Sequence, residues 1–151
     1  MAVGTVTVTW PNDMRGENRM KVVKFACIGG TGAETGTIPD TDFNTVGEVT
    51  GWYLYSVKTY KVGTPPDAAH VFILDANDLD LLGSVDGGTT AYNGLNLIDA
   101  SLTKMNIPSF YDTRAGVNVN FYPMVTGTLT LKVSDQATAS ASWAIECTFI
   151  R

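Results

Sequence analysis

The side chains able to do chemistry are few and scattered. His70 is the single histidine of the chain, so no pair of imidazoles exists to hold a metal. A Ser nucleophile served by it would want a Gly-x-Ser-x-Gly turn, and Gly83-Ser84-Val85-Asp86-Gly87 has a different spacing. Lying in an apolar run, His70 reads as a satisfied core or sheet-face residue. Gly29-Gly30-Thr31-Gly32-Ala33-Glu34-Thr35-Gly36 resembles a phosphate loop only in its glycine content. The dinucleotide spacing needs Gly at Thr35, the triphosphate version needs a Gly-Lys pair, and Glu34 would repel a phosphate. A surface loop is the expectation.

Asp75, Asn77, Asp78 and Asp80 form the densest polar cluster. Calcium takes several oxygens from such a loop. A hand-type site also needs an oxygen ligand at Leu79, Gly at Asp80 and a closing Glu, all missing. An Asx-rich turn after a buried strand is the alternative. Cys27 and Cys147 both sit in alternating apolar stretches and lack a CxxC partner, which favours buried free thiols; a disulfide between early and late strands stays open. Paired carboxylates for glycoside hydrolysis meet only in three dimensions. Trp10, Trp52 and the tyrosines could line a sugar groove, so a carbohydrate-binding module is carried as an alternative, as is a calcium-binding one. No catalytic, cofactor-binding or metal residue is assigned, and no cofactor is expected.

The elements that must position these residues read as strands. From Val117 to Arg151 three stretches alternate: Val117-Asn118-Val119-Asn120-Phe121, Thr128 to Val133 and Ser142 to Phe149, each with its apolar residues at odd positions. Strand side chains point alternately to opposite faces, so each stretch has one face fit for a core. The expectation is a β-meander that helps close a sandwich. Upstream, Thr5 to Trp10 and Arg19 to Ile28 read as strands, Gly29 to Asp42 as loop and Val46 to Val62 as a long aromatic strand bent at Gly51. Ala68 to Leu74 reads as a central buried strand. Leu95 to Thr103 is the one stretch whose pattern suits a helical turn, and Pro108 to Gly116 reads as loop.

Length and composition set the bounds. With 151 residues and 44% hydrophobic side chains, one folded domain over 1–151 is expected, large enough for its own core. Charged residues are only 17% and the formal net charge is -5. Nucleic-acid binding needs a surplus of Lys and Arg, so no nucleic-acid partner is expected. Arg15, Arg19, Lys21 and Lys24 cluster against that trend, as a solvated strand face or as a contact for an acidic protein surface. No signal peptide or membrane helix is read, which points to synthesis in a cytoplasm without membrane association. The fold class expected is all-β: a single antiparallel sandwich, jelly-roll or Ig-like, with long loops and little helix.

Three stretches together carry a resemblance. His70-Val71-Phe72-Ile73-Leu74-Asp75 runs into Asp78-Leu79-Asp80-Leu81-Leu82-Gly83. Thr126-Gly127-Thr128-Leu129-Thr130-Leu131-Lys132-Val133-Ser134 then precedes a polar turn and a last strand, Trp143 to Arg151. This resembles small β-rich virion structural proteins of tailed bacteriophages, of the head decoration or cement kind. The resemblance implies a non-enzymatic role, with the major capsid protein or other virion proteins as partners. It also implies a homo-oligomer, placed in a virion assembled in the host bacterial cytoplasm. A neck or tail component is the nearest alternative. Thr5 to Trp10 and the terminal strand are the edges expected to add to a neighbour's sheet.

Overall fold

Period-two alternation becomes two facing sheets. The computed structural model describes residues 3–11, 19–32, 36–66, 69–82, 95–96, 104–112, 117–134 and 136–151. Among these residues there is no α-helix, and the strands are β1 (Thr5–Thr9), β2 (Met20–Ile28), β3 (Thr41–Phe43), β4 (Tyr53–Lys61), β5 (His70–Leu74), β6 (Leu95–Asn96), β7 (Lys104–Asn106), β8 (Ser109–Asp112), β9 (Val117–Asn120), β10 (Leu129–Ser134) and β11 (Ser142–Ile150). One sheet runs β1-β2-β11-β4-β7 and the other β3-β10-β5-β6, while β8 and β9 form a separate hairpin. All pairings between named strands are antiparallel.

The order has a simple logic. β2 pairs with β11, β3 with β10, β4 with β7 and β5 with β6, so the pairs are nested like one long hairpin. Wrapping that hairpin on itself adds β11 beside β4 and β10 beside β5. This is the jelly-roll order, with β1 added outside β2 and the β8–β9 hairpin inserted before β10.

The core lies between the sheets. Val23, Phe25 and Cys27 of β2, Leu54 and Val57 of β4, and Trp143, Ile145, Cys147 and Phe149 of β11 face Phe43, Val71, Ile73, Leu129 and Leu131 of the other sheet. Phe25 meets Phe43 edge to face at 4.9 Å between ring centroids, joining the layers. Each such large side chain contributes about 1.5–3 kcal/mol by leaving water.

Several expectations change. The final three stretches are not a meander: β9 pairs with β8, β10 joins the four-stranded sheet and β11 the five-stranded one. The odd-numbered apolar residues Leu129 and Leu131 of β10 and Trp143, Ile145, Cys147 and Phe149 of β11 are buried as read, but β10 and β11 find their partners in distant parts of the chain. The strand expected from Val46 starts only at Tyr53, because turns occupy 45–46 and 48–51 and Gly51 takes φ +80° there. Thr41–Phe43, placed at the end of a loop, is β3, and Ser109–Asp112, read as loop, is β8. Leu95–Asn96, the start of the expected helical turn, pairs as β6 with Val71 and His70; 97–103 lie outside the described residues. The terminal strand is no edge, since β2 and β4 flank it on both sides.

Candidate interaction surfaces

The structure places the described residues singled out for chemistry on strands and in turns. His70 stands half-buried at the end of β5, opposite Ser134 and Asn96. The acidic cluster closes a tight loop. Asp75 Oδ1 accepts the N–H groups of Asn77 and Leu79, an Asx turn, and Asp78 takes φ 60°. Asp80 turns away, its Oδ1 accepting from Ile73 and Leu82. Burial raises its carboxyl to about 6, and those two N–H bonds only partly offset it. Among the described residues no group of three His, Cys, Asp or Glu side chains is gathered to hold a metal.

The glycine loop packs rather than cradles. Gly36 has φ +76°, and a Cβ there would lie 2.4 Å from the Gln136 carbonyl oxygen. Ala33, Glu34 and Thr35 fall outside the described residues, as do Gly83 to Gly87 and Arg15. Cys27 and Cys147 are both free and buried. Cys27 stands opposite Trp143 and Cys147 opposite Val23, four positions along the ladder, roughly 13 Å apart. Burial pushes the Cys27 thiol up to about 12 and raises that of Cys147 as well, so both are inert as nucleophiles. The tryptophans do not line a groove. Trp52 belongs to the core and Trp10 is partly buried against it, its ring 6.5 Å from that of Phe149.

What reaches the surface instead is a band of tyrosine and methionine. Segment 123–125 runs along β4: Leu54 N–H donates to the Pro123 carbonyl, Val125 N–H donates to that of Trp52, and Tyr53 bridges to Met124. This places Tyr122 against Tyr55, the rings stacked at 5.4 Å and 24°. In the same row Tyr53 faces Ile150, which faces Met20. Tyr53 is 43% exposed, Tyr122 44%, Met124 51% and Met20 52%. Apolar bodies with polar tips, held on a rigid sheet, form a surface suited to adhesion. Tyr122 and Met124 went unread in the sequence because they lie outside any alternating run; the signal available was large apolar residues packed around Pro123.

Beside this band lies a charged row. Glu146 sits between Lys24 and Lys58 in register, and Tyr60 donates its O–H to Glu146 Oε1 at 2.8 Å. Both ammonium groups lie over the Tyr60 ring, at 5.2 and 5.4 Å. The hydrogen bond and charge of Tyr60, then the charge of Glu146, hold the Lys24 ammonium above its ordinary range. Among the described residues charge is unevenly placed, with Glu146 on β11 and Lys132 on β10 running against the trend. Arg19, Lys21, Lys24, Lys58, Lys61 and Arg151 lie on or beside the strands of the five-stranded sheet, whereas Asp40, Asp42, Asp75 and Asp78 lie on or beside those of the other. The cationic run of the N-terminal third thus joins lysines from β4.

No family model, curated protein or solved structure matches the chain.

Proposed function

We propose that the chain is a structural component of a bacteriophage virion, a capsid decoration protein that stabilises the head by binding the major capsid protein. The observation that carries this reading is the exposed band of Tyr53, Tyr55, Tyr122, Met124 and Met20 on a stiff sheet. Interfaces enrich both tyrosine and methionine: tyrosine supplies much contact area for little ordering cost, and the flexible thioether of methionine adapts to the partner's shape. Lys24 and Lys58 beside the band suit an acidic partner surface. The resemblance in His70 to Asp75, Asp78 to Gly83, Thr126 to Ser134 and Trp143 to Arg151 supplies the virion context. Jelly rolls serve in viral coats and in lectins alike, so the fold supports the reading only by analogy. Decoration acts by linkage: many modest contacts, repeated by symmetry, favour the closed shell.

The stacked Tyr55 and Tyr122 pair favours a second reading, a carbohydrate-binding module, since aromatic faces are platforms for sugar rings. One experiment separates the two. Purified chain is mixed with empty shells of the major capsid protein proposed as its partner, and separately with oligosaccharides. Co-sedimentation at copy numbers comparable with the capsid subunit, lost in the Tyr55→Ala/Tyr122→Ala double variant, is the expected result. A few copies per particle would move the protein to the neck or tail. A rise in melting temperature with oligosaccharide, and no binding to shells, would replace the reading with the lectin one.

A further inference from the structure

Open sheet edges carry unpaired N–H and C=O groups, and proteins normally blunt them. The edge strand β3 is three residues long, closely follows Pro39 and carries Asp42. The edge strand β7 is also three residues long and begins at Lys104. β1 has none of these devices. It runs five residues with no charge and no Pro, in unbroken register from Thr5 opposite Ile28 to Thr9 opposite Lys24. Among the described residues no strand pairs with its other side. Thr5, Thr7 and Thr9 are exposed, while Val6, Val8 and Trp10 are only partly buried although they pack on the core. The apolar layer is therefore unfinished along this edge.

We propose that β1 is the docking edge for β1 of a second copy, paired antiparallel about a twofold axis through Thr7. Thr5-Val6-Thr7-Val8-Thr9 reads the same in both directions. About that axis Thr5 meets the partner's Thr9, Val6 meets the partner's Val8, and Thr7 meets itself. Every Val then completes the inner layer and every Thr pairs with Thr outside, both favourable cross-strand pairs. A shift by one residue would set Val against Thr, so one-residue slips are disfavoured, and the register centred on Thr7 pairs the most residues. The ladder is bounded at both ends. A Cβ on Gly4 would lie 2.2 Å from the Thr37 carbonyl oxygen, so the backbone there is already packed against its own body. Pro11 has no N–H to donate. Outside, the row Lys24, Thr9, partner's Thr5, partner's Ile28 brings no like charges together. Two five-stranded sheets thereby become one of ten, and the isologous contact consumes the edge instead of propagating a fibre.

The test needs only the purified chain, so its outcome is independent of the virion reading. Sedimentation over a hundredfold range of concentration is expected to show a monomer–dimer equilibrium. Thr7→Lys and Thr7→Glu each set like charges face to face and should weaken it about fivefold or more. An equimolar mixture of the two should restore the dimer. Thr5→Lys/Thr9→Lys, which also opposes like charges, provides a second route to the same loss. Circular dichroism melts confirm that each variant is folded, as expected for side chains exposed to water. A wild-type chain that stays monomeric up to its solubility limit would overturn the proposal. So would charged variants that associate as the parent does, or a mixture that fails to recover.

Discussion

Asp80 shows how one side chain can hold the fold together and weaken it at the same time. Its Oδ1 fastens β5 to the loop through Ile73 and Leu82, but its Oδ2 is buried without a partner among the described residues. A carboxyl raised from 3.8 to about 6 holds its proton more tightly in the folded chain than in the unfolded one. Its contribution to stability is therefore fully present below pH 3.8 and is lost as pH rises through about 6. The loss amounts to about 3 kcal/mol at most. Asp80→Asn keeps the acceptor and removes the titration. It is expected to be more stable than the parent at pH 7 by about 1–3 kcal/mol. That advantage should vanish by about pH 4, as read by urea unfolding at both pH values. Asn44 is the opposite case. At φ 56° and buried, it accepts from Val49 N–H at 2.7 Å and donates to the Gly127 carbonyl at 2.7 Å. Asn44→Ala strands both groups and should cost about 2–4 kcal/mol, measured by thermal or urea unfolding. Sequence reading recognised Asp80 as a polar residue of interest and passed over Asn44, because an Asn in a turn is ordinary until its partner, 83 residues away, is known.

At the scale of the element, β11 holds the five-stranded sheet together. It pairs with β2 along nine positions and with β4 along eight, with one register shift between Thr148 and Phe149. Removing residues 142–151 strips partners from both neighbours and opens the core at Trp143, Ile145, Cys147 and Phe149. The truncated chain is expected to lack a cooperative unfolding transition and near-UV dichroism. Removing residues 1–9 takes away only an edge, and that chain should still unfold cooperatively, at a lower midpoint. A meander would have predicted the reverse weighting, with the final strand the easiest to lose. Alternation identified β1, β10 and β11 because each strand faces a core on one side and water, or a polar layer, on the other; β2 reads as a strand with both faces mixed. Alternation missed β3 and β7, which have three residues each, too few for a period to declare itself, and β8, whose adjacent Phe110 and Tyr111 break the alternation that made the equally short β9 legible.

Among the described residues most cations lie on or beside the strands of the five-stranded sheet and most carboxylates on or beside those of the other, with Glu146 on β11 and Lys132 on β10 as exceptions. A net charge of -5 conceals this, because a sum over the chain discards position. The proposed capsid contact belongs to this scale. Raising ionic strength should weaken binding to shells if Lys24 and Lys58 meet an acidic surface, and Lys24→Glu/Lys58→Glu should weaken it further, both read by co-sedimentation.

The chain by itself determined that the protein is built of strands, which face of the clearly alternating ones turns inward, and that both cysteines are buried. These follow from side-chain direction, a property of neighbours along the backbone. Only the tertiary structure decided which strand lies beside which, that the last strand is central, and that Tyr55 stacks on Tyr122. Strand pairing joins residues up to 130 positions apart, as Met20 does with Ile150, and many registers satisfy the same alternation. The choice among them rests on how all the inner faces pack at once, which no local pattern contains.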